Sequence, residues 1–245
     1  MQSESMIPRM RSTRREALAI GLTGMAGCVR PPRHADERAT PSRPGDVSIG
    51  FVGDVMLGRG VTDRWAGSDH AGVWGSTIDP SVSETRAMVQ SALLRAERHD
   101  PDLVVASLHW GPNWVTAPKE HHEAFGRWLV DEGVDVVHGH SAHVLQGVEV
   151  YRGSPILYDT GDFVDDFVDM EEVYNKRSGL FELHVDDGGL DALSVRPTRI
   201  VDRQAQLADG EIAAWVRDTI RDRSAPYGTT VDEAGIGVRI PLDGD

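Results

Sequence analysis

Two histidine segments and one aspartate have the residue types and spacing from which a reactive site can be made. Gly53-Asp54 offers a hard carboxylate and His109-Trp110-Gly111 an imidazole. Gly139-His140-Ser141-Ala142-His143 adds two imidazoles three residues apart in a tight loop. Imidazole with carboxylate and no thiolate suits Zn, Mn, Fe or Ni and does not choose among them. Such an ion makes hydroxide from bound water near neutral pH and polarises a phosphoryl or carbonyl oxygen. The competing expectation is of surface or hydrogen-bonded core histidines, the commoner fate of any single His. Clustering at successive strand ends is what favours a metal.

The elements around these residues explain how they would meet. Residues 47–52 (VSIGFV) and 103–108 (LVVASL) read as short buried strands, and 134–137 as a third. Between them, 81–98 has Met88, Val89, Ala92, Leu93 and Ala96 at helical spacing. Residues 120–130 likewise set Ala124, Phe125, Trp128 and Leu129 on one side, with Gly133 as the stop. Two strand–helix–strand repeats predict a parallel sheet covered by helices, an α/β class. Ligands bind such sheets at the carboxyl ends of the strands, where Asp54, His109 and 138–143 fall. The second half reads as two hairpins, 149–151 with 156–158 and 180–185 with 193–201, the latter across Asp186-Asp187-Gly188-Gly189. Asp209 is placed to cap a last helix with Ile212, Trp215, Val216 and Ile220 inward.

Composition narrows the function classes. The 245 residues carry a net charge of −14, and of 25 basic residues only Lys119 and Lys176 are lysines. So acidic a surface repels phosphates and excludes a general nucleic-acid binder. Acid-rich, lysine-poor usage fits a halophilic setting, though codon bias toward Arg explains it equally well. The one cysteine, Cys28, excludes a disulfide scaffold and a multi-cysteine zinc site.

That cysteine lies where an export signal needs it. Thr13-Arg14-Arg15-Glu16 precedes an uncharged run, 17–27, that ends in Met25-Ala26-Gly27-Cys28. The pattern predicts a twin-arginine-type signal with a lipobox over 1–28, lipidated at Cys28. The alternative is a short buried helix with a chance thiol. Export predicts a protein anchored by its N-terminal lipid to the outer face of the cytoplasmic membrane, attached and not spanning. Residues 29–46, with Pro31, Pro32, Pro41 and Pro44, read as a linker, and 47–245 as the folded domain. Removal of 1–27 takes away four Arg and two Glu and leaves a charge of −16.

Weaker patterns are set aside. His122-Glu123 lacks the second histidine of a helical zinc motif, since Gly126 stands four residues on. His121 is expected to be packed and not catalytic. Ser141 has no closing glycine for a nucleophile elbow. The seven carboxylates of 159–172 match no calcium loop and read as a solvated acidic loop.

Taken in order, several segments resemble the CapA family of poly-γ-glutamate capsule proteins. They are Gly53-Asp54-Val55-Met56-Leu57-Gly58-Arg59-Gly60, Ser107-Leu108-His109-Trp110-Gly111, the run from Gly133 to His143 continuing through Gln146-Gly147-Val148-Glu149-Val150-Tyr151, and Tyr158-Asp159-Thr160-Gly161-Asp162-Phe163. Asp162 stands where many members have Asn. The resemblance implies a calcineurin-like metallophosphoesterase sandwich of βαβ units plus C-terminal hairpins. Carried over by position, Asp54, His109, His140 and His143 would be metal ligands, with His109 and His140 catalytic. Arg59 and Asp162 would line the substrate side. His138 lies near with no assigned role. One departure matters: the family carries an Asn-Leu-Glu block and an Asn-Asn-His block before the His-Trp-Gly motif. Only about fifty residues separate Gly60 from His109 here, and neither block is present. The expectation is therefore one divalent transition ion (Mn, Fe or Zn) in place of two, and a core that is smaller or repaired.

These features predict an exported, lipid-anchored protein of cell-surface poly-γ-glutamate synthesis with a reduced phosphoesterase-like site, partnered by the polymer or its synthesis machinery. The alternative is a non-catalytic surface-anchored scaffold or polymer-binding lipoprotein.

Overall fold

The computed structural model describes residues 17–22, 47–55, 83–165, 169–186 and 189–242. Cys28, Arg59 and the Pro-rich 29–46 segment lie outside the described residues.

The chain is a mixed α/β protein built on two sheets. The first has strand order β1 (Ala17–Leu22), β4 (Leu103–His109), β5 (Val136–His140), β7 (Ser154–Leu157), β6 (Val148–Tyr151). Its first four strands run parallel, and β6 returns antiparallel to β7. The β6–β7 turn is two residues long, with Arg152 and Gly153 both at positive φ (53° and 81°). That is the twist a tight hairpin needs. Helices α1 (Ser83–Glu97) and α2 (Glu120–Asp131) share one core with this sheet: Val89 and Leu93, then Phe125 and Leu129, meet Leu108, Val137 and Ile156.

The second sheet is antiparallel: β12 (Asp232–Ala234), β13 (Gly237–Pro241), β10 (Gly189–Val201), β9 (Arg177–Asp186), β2 (Val47–Phe51), with β11 (Gln204–Leu207) on the side of β10. Val105, Val136 and Leu157 of the first sheet share a core with Phe181, Leu183, Leu193 and Ile240 of the second. Helix α3 (Gly210–Ser224) adds Val216 and Ile220 to it. Eight of these side chains, all but Val105, are at most 1% exposed. Each such burial contributes about 1.5–3 kcal/mol. A third, two-stranded sheet pairs β3 (Asp54–Val55) with β8 (Asp162–Val164).

Several expectations change. The expected 47–52 strand forms over Val47–Phe51, but β2 belongs to the antiparallel sheet beside β9, so the first strand–helix–strand repeat does not exist. An apolar run announces a buried strand without saying which sheet buries it. The parallel neighbour of β4 is instead Ala17–Leu22, the residues expected as the apolar run of an export signal. On α1, Val89, Ala92, Leu93 and Ala96 are buried, whereas Met88 is 44% exposed. On α2 the buried face is His122, Phe125, Gly126 and Leu129, and Ala124 is exposed. The helix phase is thus rotated toward His122, which packs edge-on to Trp110 at 5.5 Å. Asp209 occupies the N-cap position of α3, yet its side chain makes no capping hydrogen bond.

Candidate functional site

Parallel pairing levels the strand ends. His109 and His140 are direct cross-strand partners at the carboxyl ends of β4 and β5, and Ser107 partners His138 two residues earlier. The His109 and His140 rings meet edge-to-face at 5.2 Å. A separation of thirty-one residues in sequence becomes adjacency because both strands end at the same height. Strand β7 then delivers Tyr158-Asp159-Thr160-Gly161 to that same edge, and β8 follows. Strand β3 pairs parallel with β8 so that Asp54 partners Asp162. Asp54 is placed by its backbone; its side chain lies outside the described residues.

Glycines make this convergence possible. A Cβ at Gly53 would run into the backbone carbonyl of Gly161, and one at Gly139 into Trp110 and the carbonyl of Tyr158. The Trp110 indole needs that space: its Nε1 donates to the Tyr158 oxygen at 2.8 Å, and its backbone N–H donates to the His140 oxygen at 3.0 Å. The motif glycines next to Asp54 and His140 are therefore where β3, β5 and the loop after β7 approach one another.

The loop after β5 is pinned from several sides. Ser141 (φ 116°) and His143 (φ 60°) lie in the left-handed region, which is costly for residues with a Cβ. Asp159, 2% exposed, holds the loop: its Oδ2 accepts from Ala142 N at 2.6 Å and its Oδ1 from Gly161 N at 2.8 Å. Ser141 Oγ donates to the Gly111 oxygen at 3.1 Å, and Trp114 N to the Ala142 oxygen at 2.8 Å.

Within this frame His143 is oriented by a carboxylate. Its Nδ1 lies 2.8 Å from Asp162 Oδ1, and Asn175 Nδ2 donates to Asp162 Oδ2 at 3.3 Å. Asp162 is 1% exposed, so it acts through His143 and does not present itself as a surface group. With Nδ1 engaged, chemistry at His143 falls to Nε2. His138 is a different case. Its Nδ1 lies 2.9 Å from Ser107 Oγ and its Nε2 3.0 Å from Thr160 Oγ1, so the buried imidazole ties β4, β5 and the loop after β7.

The expected site residues thus divide. His109 and His140 pair, and His143 joins Asp162, which is buried against it and Asn175. Arg59 lies outside the described residues. Among the described residues no three His, Cys, Asp or Glu side chains come together as a group able to hold a metal. Sequence reasoning overlooked Asp159, Thr160, Ser107, Trp114 and Asn175. Of these, Asp159-Thr160-Gly161 was open to discovery as an Asx turn, because its side chain accepts from the N–H two residues on. The acidic 159–172 segment also needs correction. Asp159, Asp162 and Asp165 are buried and engaged, Asp165 with Lys176 Nζ at 2.6 Å, whereas Asp169, Glu171 and Glu172 are solvated.

A second network backs the site. Tyr158 OH donates to Glu149 Oε2 at 2.5 Å, Arg127 Nε donates to Glu149 Oε1 at 2.8 Å, and Tyr227 OH donates to Glu123 at 2.9 Å. Burial first, then the hydrogen bond and charge of Glu149, push the Tyr158 phenol well above its ordinary range. Burial and Glu123 do the same to Tyr227.

With this geometry in hand, relationships to known proteins fall into place. Residues 73–167 match the family described as bacterial capsule synthesis protein PGA_cap, a span that holds His109, His140, His143 and Asp162. A probable polyglutamine synthesis accessory protein of Mycobacterium tuberculosis is 35% identical over 197 residues, covering 76% of this chain and 51% of that protein. The capsule biosynthesis protein CapA of Bacillus anthracis is 36% identical over 104 residues, covering 42% of this chain and 25% of that protein. The PGA biosynthesis protein CapA of Bacillus subtilis is 33% identical over 105 residues. The matched class is that of bacterial capsule-synthesis proteins, and within it the chain is similar to the CapA family. It spans about half the length of the mycobacterial relatives it matches.

Proposed function

We propose that this chain is an accessory protein of cell-surface poly-γ-glutamate synthesis whose strand-end site is a reduced form of a calcineurin-like metallophosphoesterase centre. The observation that carries the reading is the convergence of His109, His140 and the His143–Asp162 pair at one sheet edge, within the segment that matches the capsule-synthesis family. The sandwich of a parallel and an antiparallel sheet is compatible with that fold.

A divalent transition ion (Mn, Fe or Zn) on this edge would take its donors from Asp54, His109, His140 and His143. When bound it would supply Lewis-acid chemistry toward a phosphoryl oxygen. Among the described residues His109, His140 and His143 do not form a three-donor group by themselves, so Asp54, placed by its backbone beside Asp162, would have to supply a further donor. The chain's own contribution is positional: Asp162 holds the His143 ring through Nδ1, Asn175 holds Asp162, and Asp159 fixes the loop between His140 and His143. The scaffold reading draws on the missing Asn-Leu-Glu and Asn-Asn-His blocks between Gly60 and His109. Export through a twin-arginine-type leader and lipidation at Cys28 belong to this proposal too. Cleavage before Cys28 would remove β1 and uncover the outer edge of β4, so the mass of the mature protein decides whether β1 stays.

Metal analysis of the purified full chain tests the site. We expect about one equivalent of a transition metal in wild type, lost in the His140→Ala/His143→Ala variant. Wild type without stoichiometric metal, and without Mn-dependent activity on a generic phosphodiester, leaves the scaffold. Deletion of the gene with assay of surface polymer tests the pathway assignment: unchanged polymer would overturn it.

A further inference from the structure

Strands β9, β10 and β11 carry a row of donors in a direction the candidate site does not use. Arg177 on β9 is the direct partner of Arg199 on β10, and Arg199 is the direct partner of Gln206 on β11. Directly opposite residues on paired strands share a face, and strands lie about 4.8 Å apart, so the row runs over roughly 10 Å. Two like charges placed opposite each other repel.

Among the described residues neither guanidinium relieves this with a carboxylate. Arg127, Arg152, Arg196, Arg221 and Arg239 all have acidic partners in this acid-rich chain. Arg177 and Arg199 make no ion pair among the described residues. Arg177 lies instead over two rings, its Cζ 4.0 Å from the centre of Tyr174 and 5.1 Å from that of Trp215. The rings themselves meet edge-to-face at 5.2 Å. Arg199 keeps its Nε buried without a hydrogen-bond partner. A guanidinium stacked on two rings beside a second one, with no ion pair to either among the described residues, is an arrangement for planar oxyanions. The nearby acids do not compete, since Asp162 is engaged by His143 and Asn175, and Asp165 by Lys176. Exposed Asp169, Glu171 and Glu172, just before Tyr174, repel every carboxylate of a ligand, so binding needs the donors of the row to act together.

We propose that the Arg177–Arg199–Gln206 row, walled by Tyr174 and Trp215, binds successive carboxylates of an extended polyanion, resting on the reading above that the polymer is γ-linked glutamate. The row is joined to the candidate site through the short run 174–177. There Tyr174 and Arg177 stack, Asn175 holds Asp162 and Lys176 holds Asp165.

The test is equilibrium binding of fluorescently labelled poly-γ-glutamate to the full chain. We expect saturable, salt-sensitive binding that the Arg177→Gln/Arg199→Gln variant weakens about ten- to a hundredfold, the scale of charge-assisted hydrogen bonds. Arg221→Gln, a surface control, should bind as wild type does. Because Arg177 packs on Trp215, Arg177→Lys/Arg199→Lys serves as the companion: charge kept and fork lost, it should bind at an intermediate level. Unchanged binding in both double variants, absence of binding by wild type, or competition by inorganic phosphate at equal concentration of charge would each overturn the row as a polymer site. Those results leave the pathway assignment standing if deletion still abolishes surface polymer. Unchanged polymer on deletion sinks that assignment independently.

Discussion

The two sheets of this protein are packed on one core, yet only the parallel one brings its chemistry to a single edge. In the parallel sheet β4, β5 and β7 end at the same height, so His109, His140 and the 158–161 segment converge. In the antiparallel sheet alternate strands end on opposite sides. Its notable polar features are therefore rows across strands, such as Arg177–Arg199–Gln206 and the His184–Ser194 pair at 2.9 Å. Direction of pairing, more than residue content, separates a point-like site from a band-like surface.

The strongest way to break this comparison is to deny the parallel edge its close approach. Gly139→Ala puts a methyl into Trp110 and the Tyr158 carbonyl, neither of which is a flexible chain end. We expect a loss of about 3 kcal/mol or more, seen as a fall in denaturation midpoint. Gly179 in the antiparallel sheet is the matched control. A methyl there meets the side chains of Val195 and Phe181, which can shift, so Gly179→Ala should cost about 1–2 kcal/mol. Equal losses at the two glycines would sink the idea that the parallel edge is the tighter assembly.

Next in size is Asp159→Ala. It strands two buried N–H groups, of Ala142 and Gly161, with an expected cost of about 2–4 kcal/mol. If Asp159 positions the site, this variant should also weaken any metal held by His140 and His143. Asp159→Asn, which keeps one acceptor, should recover part of both. Metal retention unchanged in Asp159→Ala would show that the loop does not position those histidines.

How much of this was legible beforehand follows from the same contrast. Strand ends, both hairpins and the two histidine segments could be read from sequence, because apolar runs, turn residues and imidazoles are local signals. What stayed hidden was relational. Val47–Phe51 looks the same whether β9 or β4 is its neighbour, so its sheet was misjudged. Asn175 reaches Asp162 across a segment with no motif, and Lys176 neutralises Asp165 although the stretch reads as uniformly acidic. His122, not His121, faces Trp110 because the phase of α2 is set by the sheet below it.

A smaller effect concerns the tyrosines behind the parallel edge. Both phenols titrate above their ordinary value of about 10 in the folded state, chiefly through burial, and each donates to a glutamate. Above pH of about 10 the unfolded chain loses these protons while the folded chain keeps them, so stability falls as pH rises. Tyr158→Phe/Tyr227→Phe should cost about 1–2 kcal/mol at neutral pH and flatten the alkaline decline. Denaturant midpoints between pH 8 and 11 measure it, and an unaltered slope would remove the tyrosines from the account.

The smallest predicted change has the opposite sign. Asp135, just before β5, accepts from Val104 N at 2.7 Å and so helps align β5 with β4. Burial nevertheless raises its carboxyl above the usual range and outweighs that hydrogen bond. A raised carboxyl means that the folded state holds its proton longer, so ionisation at neutral pH works against folding. Asp135→Asn keeps an acceptor for Val104 and removes the charge, and it should be neutral or stabilising by less than about 1 kcal/mol. The gain should vanish in acid, where the wild-type carboxyl is protonated. A clear loss at pH 7 would mean that the parallel edge needs the charge itself at this strand junction, and that alignment of β4 with β5 is electrostatic as well as geometric.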